Sequence, residues 1–140
     1  MDNTLVDFDS GIHQLTDYQK EQYAGRLDEV PGIFSTMKPI GDMIELFNTM
    51  IEDERFDCYV LSTSPWDNPT SASDKIEWIK KYLPKAYKRV ILSHHKHLNV
   101  GDYLIDDRTA NGAGKFGGEL IQYGTEKFPT SESVKNYLGV

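Results

Sequence analysis

Cysteine, basic charge and long hydrophobic runs are all scarce in this sequence. Cys58 is the only cysteine, which excludes an internal disulfide and fits a reducing compartment such as the cytoplasm. The 15 Lys and Arg are outnumbered by 22 Asp and Glu, and the formal net charge of −7 argues against binding a nucleic-acid polymer. No hydrophobic run reaches the roughly 18 residues of a membrane span. We therefore expect a cytoplasmic protein that acts on a small molecule.

Helical periodicity is clear in three parts of the chain. Apolar residues at i, i+3, i+4 and i+7 across 40–51 predict an amphipathic helix that begins just after Pro39. A second helix is expected from about 71 to 83, and Pro84 ends it. Its predicted inward stripe comprises Ile76, Ile79, Tyr82 and Leu83. A third helix is expected near the end of the chain, where Thr130 or Ser131 can cap it.

Short hydrophobic runs alternate with these helices and predict strands. The four predicted strands are 56–61, 89–92, 102–105 and 119–123. Strands that alternate with helices through short loops indicate an α/β fold with a parallel sheet covered by helices on both faces. The 140 residues suffice for one such domain. Ligands bind to these sheets at the carboxyl ends of the strands.

Reactive side chains follow three of the predicted strands at that edge. The hydroxyls of Thr63 and Ser64 follow the first strand, Lys96 follows the second, and the carboxylates of Asp106 and Asp107 follow the third. Paired carboxylates are typical Mg²⁺ ligands, and a lysine or a hydroxyl can bind phosphate oxygens. The combination favours phosphoryl transfer, which depends mainly on positioning and on charge stabilisation.

Other interpretations of these residues remain open. The Asp pair before Arg108 also fits a solvated turn, and hydroxyls at 62–64 before a proline also fit a helix cap. We do not expect His94, His95 and His97 to hold a metal, because adjacent residues on a strand or tight loop point in different directions. A phosphoacceptor receiver domain is disfavoured, since its acidic pair precedes its threonine and lysine. The joint occurrence at successive strand ends favours the phosphate site.

Several segments resemble the haloacid dehalogenase superfamily of aspartate-nucleophile phosphatases, and within it the 5'(3')-deoxyribonucleotidase family. The similar segments are 1–8, 31–34, 61–65, 75–78, 104–108 and 116–124, together with Lys96. The resemblance implies a Rossmann-like parallel sheet between helices, with residues 9–37 as a small helical cap insertion. It also implies hydrolysis of nucleoside monophosphates through an aspartyl-phosphate, with Mg²⁺ as cofactor, and allows a homodimer.

The resemblance assigns a role to each candidate residue. Asp2 is the general acid and base, and it also contributes to the metal site through its backbone carbonyl. Thr63, Ser64 and Lys96 bind the phosphate, while Asp106 and Asp107 are the carboxylates that bind Mg²⁺. Aromatic residues that could stack on the nucleobase are Phe8, Phe34 and Trp66.

One part of the family pattern has no counterpart in these 140 residues. The family's nucleophilic aspartate stands two positions before its acid/base aspartate, at the end of a central strand, which places it directly ahead of Met1. We therefore expect the natural protein to begin upstream with that strand, and the 140-residue chain itself to be inactive. The alternative is a non-catalytic module of the same fold that binds nucleotide or phosphate.

Overall fold

The computed structural model describes residues 1–140 as an α/β chain of short elements. The strands are β1 (Val6–Asp7), β2 (Lys38–Pro39), β3 (Val60–Ser62), β4 (Val90–Leu92), β5 (Tyr103–Asp106) and β6 (Glu119–Gln122). The α-helices are α1 (Phe8–Ile12), α2 (Asp17–Gln22), α3 (Gly41–Glu52), α4 (Ser71–Tyr82) and α5 (Ser131–Leu138). Single 3₁₀ turns occur at Leu27–Glu29, Ile33–Ser35, Pro84–Ala86, Lys96–Leu98 and Ala113–Lys115. None of these helices is long and apolar enough to cross a membrane.

The strands pair in three separate two-stranded sheets. β3 and β4 are parallel, with Leu61 opposite Ile91, and β5 and β6 are parallel, with Ile105 opposite Ile121. β1 and β2 are antiparallel, and residues 8–37 lie between them along the chain. The four predicted strands therefore form parallel pairs, but they do not join into one sheet. The first predicted strand is also shorter than expected, because pairing with β4 begins only at Val60.

The two long helices bury one face each, but α4 does so differently from the prediction. α3 buries Met43, Leu46 and Met50, in agreement with its periodicity. On α4 the buried residues are Ser71, Lys75, Trp78 and Ile79. Ile76 and Tyr82 are only partly buried, so the predicted stripe was rotated around the helix axis. A lysine and a serine share the buried face because each has hydrogen-bond partners there.

The segment that precedes β2 is fastened to α4 and its amino-terminal loop. The side-chain amide of Asn68 donates to the carbonyl oxygens of Asp28 and Val30, at 2.8 and 3.0 Å. The indole Nε1 of Trp78 donates to the carbonyl oxygen of Met37 at 2.9 Å. Buried polar groups are costly to leave unpaired, so these bonds fix the segment against the helix. That the region 9–37 acts as a cap remains a prediction.

Leu83 tests the core that holds α4 in place. The side chain is fully buried, so we expect Leu83→Ala to lower the free energy of unfolding by about 2–5 kcal/mol through lost transfer energy and a residual cavity. Urea unfolding followed by circular dichroism measures this change. Leu98→Ala is the matched control, since Leu98 is 72% exposed and its loss should change stability by less than about 0.5 kcal/mol. Equal effects in the two variants would contradict this packing.

Candidate phosphate and metal site

One polar depression collects most of the predicted site residues. Its lining comprises Met1, Asp2, Ser62, Thr63, Lys96, Asp106, Asp107, Arg108 and Asn111. It lies where β3 and β5 end, beside the turn that follows β4. Residues separated by more than 100 positions along the chain therefore meet at the carboxyl edge of the two parallel sheets. Only one of the nine lining residues is hydrophobic, which suits a charged ligand.

Lys96 and Asp106 form a buried ion pair at the floor of this site. Their side chains are only 8% and 6% exposed, and Lys96 Nζ contacts Asp106 Oδ2. Burial alone would raise the pKa of Asp106, but the hydrogen bond and charge of Lys96 hold that pKa below its ordinary value. The other carboxylate oxygen of Asp106 accepts from the backbone N–H of Arg108 at 3.1 Å. Asp106 is therefore charged and fixed in orientation.

Asp107 is the second carboxylate of the Asp106–Asp107 pair. It is half-buried and forms no ion pair, and burial together with the charge of Asp106 raises its pKa. A divalent cation bound to both carboxylates would relieve this repulsion. No group of three or more His, Cys, Asp and Glu side chains surrounds a common point. Mg²⁺ commonly uses only one or two carboxylates and keeps several waters, so the donor set at Asp106 and Asp107 fits it.

Of the two hydroxyl residues predicted to bind phosphate, Thr63 lies in the depression and Ser64 lies outside it. Thr63 lines the depression, and its Oγ1 donates to the carbonyl oxygen of Ser93 at 2.9 Å, which joins the loops after β3 and β4. Ser64 does not line the depression, because its Oγ shares a hydrogen bond with Ser71 Oγ at the start of α4. Ser62 and Thr63 are thus the two hydroxyl residues that line the depression. Ser62 Oγ accepts from Lys75 and donates no hydrogen bond, whereas Thr63 can donate to a ligand only by giving up its bond to Ser93.

Asp2 faces a buried lysine that sequence reasoning did not include among the site residues. Lys75 Nζ lies 3.4 Å from both carboxylate oxygens of Asp2. It also donates to Ser62 Oγ at 2.9 Å and to the carbonyl oxygen of Thr63 at 2.6 Å. Burial lowers the pKa of Lys75, and the Asp2 carboxylate opposes that shift. The spacing of the sequence indicates this position, since Lys75 stands four residues after Ser71 and three before Trp78, on the same face of the helix.

The first residues form a tight turn around the Met1 carbonyl. That oxygen accepts from the backbone N–H groups of Thr4, Leu5 and Val6, at 3.2, 2.8 and 3.2 Å. Asn3 takes a left-handed conformation (φ 53°), which asparagine tolerates better than most residues. The α-amino group of Met1 is buried at the site, and burial lowers its pKa to about 6. The turn places Asp2 at the depression.

The three predicted stacking residues lie in different environments. Phe34 is 1% exposed and packs edge-on against Phe8, with ring centroids 6.0 Å apart, so it has no face open to a base in this structure. Trp66 is 87% exposed and contacts His94 edge-on. His95 and His97 pack against each other and form a separate contact. Phe8 is partly buried, so of the three candidates Trp66 presents the most open side chain.

Comparison with known proteins identifies the family of this chain. Residues 10–131 match the family described as 5' nucleotidase, deoxy (Pyrimidine), cytosolic type C. The chain belongs to this family. The match includes Thr63, Lys75, Lys96, Asp106 and Asp107, and it confirms the nucleotidase resemblance found in the sequence.

Individual relatives extend the similarity to both viruses and bacteria. A Vibrio phage KVP40 protein named "Putative 5'(3')-deoxyribonucleotidase" is 59% identical over 139 residues, which cover 99% of this chain and 81% of that protein. A mimivirus relative is 30% identical over 77% of this chain and 61% of its own length. A relative from Staphylococcus aureus strain Mu50 is 32% identical over 61% of this chain and 48% of its own length. Their names assign both to the same enzyme class.

Removing Lys96 tests the buried ion pair. We expect Lys96→Met to lower the free energy of unfolding by about 3–5 kcal/mol, because Asp106 would remain as an unpaired buried carboxylate. Urea unfolding at neutral pH, in the presence of a chelator, measures the loss. Lys96→Met combined with Asp106→Asn should cost less than the single change. Lys115→Met provides a control at an exposed lysine that forms no ion pair, and an equal effect at both lysines would argue against the buried pair.

Proposed function

We propose that the natural protein is a Mg²⁺-dependent phosphatase that hydrolyses deoxyribonucleoside and ribonucleoside 5'-monophosphates through an aspartyl-phosphate. The observation that carries the proposal is the meeting of Asp2, Thr63, Lys96, Asp106 and Asp107 at one edge of the parallel strands. Membership of a nucleotidase family supports the choice of substrate class. A nucleoside monophosphate is anionic at its phosphate, which fits a polar depression lined by the buried Lys96 and by Arg108.

The residues of this chain divide the work of the reaction. Asp106 and Asp107 would hold Mg²⁺, which when bound neutralises charge on the phosphate oxygens. Thr63 and Lys96 orient those oxygens by hydrogen bonding. A carboxylate nucleophile attacks phosphorus, the bond to the nucleoside oxygen breaks, and Asp2 gives that oxygen its proton. Asp2 then takes a proton from the water that attacks the aspartyl-phosphate and releases inorganic phosphate.

The nucleophile in this proposal is an aspartate directly ahead of Met1, carried by an additional strand. One feature of the fold supports it. β3 and β5 each pair on one edge only, and no backbone hydrogen bond joins either strand to a partner on its other edge. An extended segment ahead of Met1 would pair with both free edges and join the parallel pairs into one sheet.

A second candidate function is a non-catalytic phosphate-binding or nucleotide-binding module. The observation that favours it is that Thr63, Lys96 and the Asp106–Asp107 pair line one depression within these residues. These groups can bind phosphate and a cation without a nucleophile. This candidate predicts Mg²⁺-dependent nucleotide binding without turnover, and calorimetry that detects no nucleotide binding would exclude it.

Restoring the upstream segment distinguishes the two functions. The coding sequence ahead of Met1 should place an Asp codon next to the Met1 codon and about five apolar codons before it. We expect the extended protein to release phosphate from nucleoside 5'-monophosphates in a malachite-green assay, with little release by the 140-residue chain. Asp2→Asn in the extended protein should reduce kcat by about 10²–10⁴-fold, as expected for loss of a general acid.

The control in this experiment is Asp102→Asn, which changes an exposed carboxylate outside the depression and should leave kcat unaltered. An extended protein that turns over neither nucleotides nor a generic phosphate ester would refute the phosphatase. If Asp2→Asn kept full activity, only the acid/base role of Asp2 would be refuted, and the phosphatase would stand.

A further inference from the structure

The buried ammonium of Lys75 has no hydrogen left for a ligand in this structure. An ammonium group has three N–H donors. Those of Lys75 face the Asp2 carboxylate, Ser62 Oγ and the Thr63 carbonyl oxygen. The side chain is fully buried, and Lys75 does not line the depression. The lysine therefore orders the groups around the phosphate site without facing the phosphate.

The ring of Phe34 lies against this ammonium group. Lys75 Nζ lies 4.3 Å from the centroid of the Phe34 ring, within the range of a cation–π contact. Both residues are buried, with Lys75 0% and Phe34 1% exposed. The negative face of an aromatic ring attracts a cation, and the attraction is strongest where water is excluded. The ring thus partly replaces the hydration that Lys75 loses on burial.

Phe34 belongs to a different part of the chain from the lysine that it contacts. It lies in the 3₁₀ turn Ile33–Ser35, in the segment between α2 and β2. The neighbouring residue Gly32 donates its N–H to Thr70 Oγ1 at 2.8 Å, just ahead of α4. This bond holds the turn that carries the ring next to α4 and does not involve Lys75.

We propose that Phe34 is a positioning residue that holds the Lys75 ammonium in place and, through it, the Asp2 carboxylate and the Thr63 backbone of the phosphate site. This inference rests on the proposed function, because it concerns the same phosphate site. It gives Phe34 a role different from nucleobase stacking. The contact links the segment ahead of β2 directly to the acid/base residue.

The test changes the Phe34 ring in two different ways. Phe34→Leu keeps an apolar side chain and removes the π face. Because a buried ring can also be needed for folding, pentafluorophenylalanine at position 34 provides a second variant that keeps the ring shape and reverses the charge of its face. Trp78→Phe is the matched control, since it removes the hydrogen bond to Met37 from the same interface without changing the Phe34 ring.

Each variant is made in the full 140-residue chain and studied by two measurements. Calorimetry with inorganic phosphate in excess Mg²⁺ measures binding at the site. Two-dimensional ¹H–¹⁵N spectra detect the Lys75 ammonium directly, since a buried ammonium exchanges its protons slowly and the Phe34 ring current shifts them. We expect both Phe34 variants to weaken phosphate binding by about fivefold or more and to move or broaden the Lys75 signal. Trp78→Phe should lower stability and leave both readouts near those of the parent chain.

The outcomes separate this inference from the proposed function. If the parent chain binds phosphate and both Phe34 variants bind it equally well, the inference is overturned and the phosphate site stands. If the parent chain binds no phosphate, the inference is overturned, because these 140 residues then form no phosphate site for Phe34 to order; the phosphatase is judged separately, by turnover in the extended protein. If Trp78→Phe weakens binding as much as Phe34→Leu, general loosening of the interface explains the loss and the specific role of the ring is rejected.

Discussion

Charge balance at the carboxyl edge of β3 and β5 is the constraint on which the candidate site depends. Asp2, Asp106 and Asp107 line the same depression there, and like charges in one site repel one another. Two buried lysines make the arrangement stable: Lys96 pairs with Asp106, and Lys75 faces Asp2. Each lysine would be costly to bury without its carboxylate, and each carboxylate without its lysine. Asp107 forms no ion pair, and burial together with the charge of Asp106 raises its pKa; in our proposal Mg²⁺ would balance this carboxylate.

The backbone supports this balance through contacts between distant segments. Thr63 joins the loops after β3 and β4 through the Ser93 carbonyl, and Lys75 holds the other side of the same loop. The segment ahead of β2 closes over α4 and covers Lys75 with Phe34. The site is thus formed by loops held to one another, more than by any continuous sheet. Family membership supports our proposal that this arrangement binds phosphate.

Sequence reasoning could predict those features that depend on local pattern. The α/β alternation, the parallel strand pairs and the position of Asp106 and Asp107 at a strand end all follow from hydrophobic periodicity. Lys75 was not predicted as a site residue because a lysine on an amphipathic helix usually faces solvent, and its partner Asp2 lies 73 positions away. Ser64 was assigned to the site by the family resemblance, and its hydrogen bond to Ser71 could not be predicted because it depends on the path of the loop. Phe34 was a stacking candidate on the same ground, and its burial could not be predicted because it depends on packing against α4.

The most direct test of the phosphate and metal site is a crystal structure of the 140-residue chain soaked with Mn²⁺, as a stand-in for Mg²⁺, and with tungstate, as a stand-in for phosphate. Anomalous scattering locates both ions independently of any assumed mechanism. The account predicts a Mn²⁺ peak at the carboxylates of Asp106 and Asp107, and a tungstate peak beside Thr63 and Lys96. Ions bound only elsewhere, or an empty depression in a crystal that binds them at other positions, would contradict it.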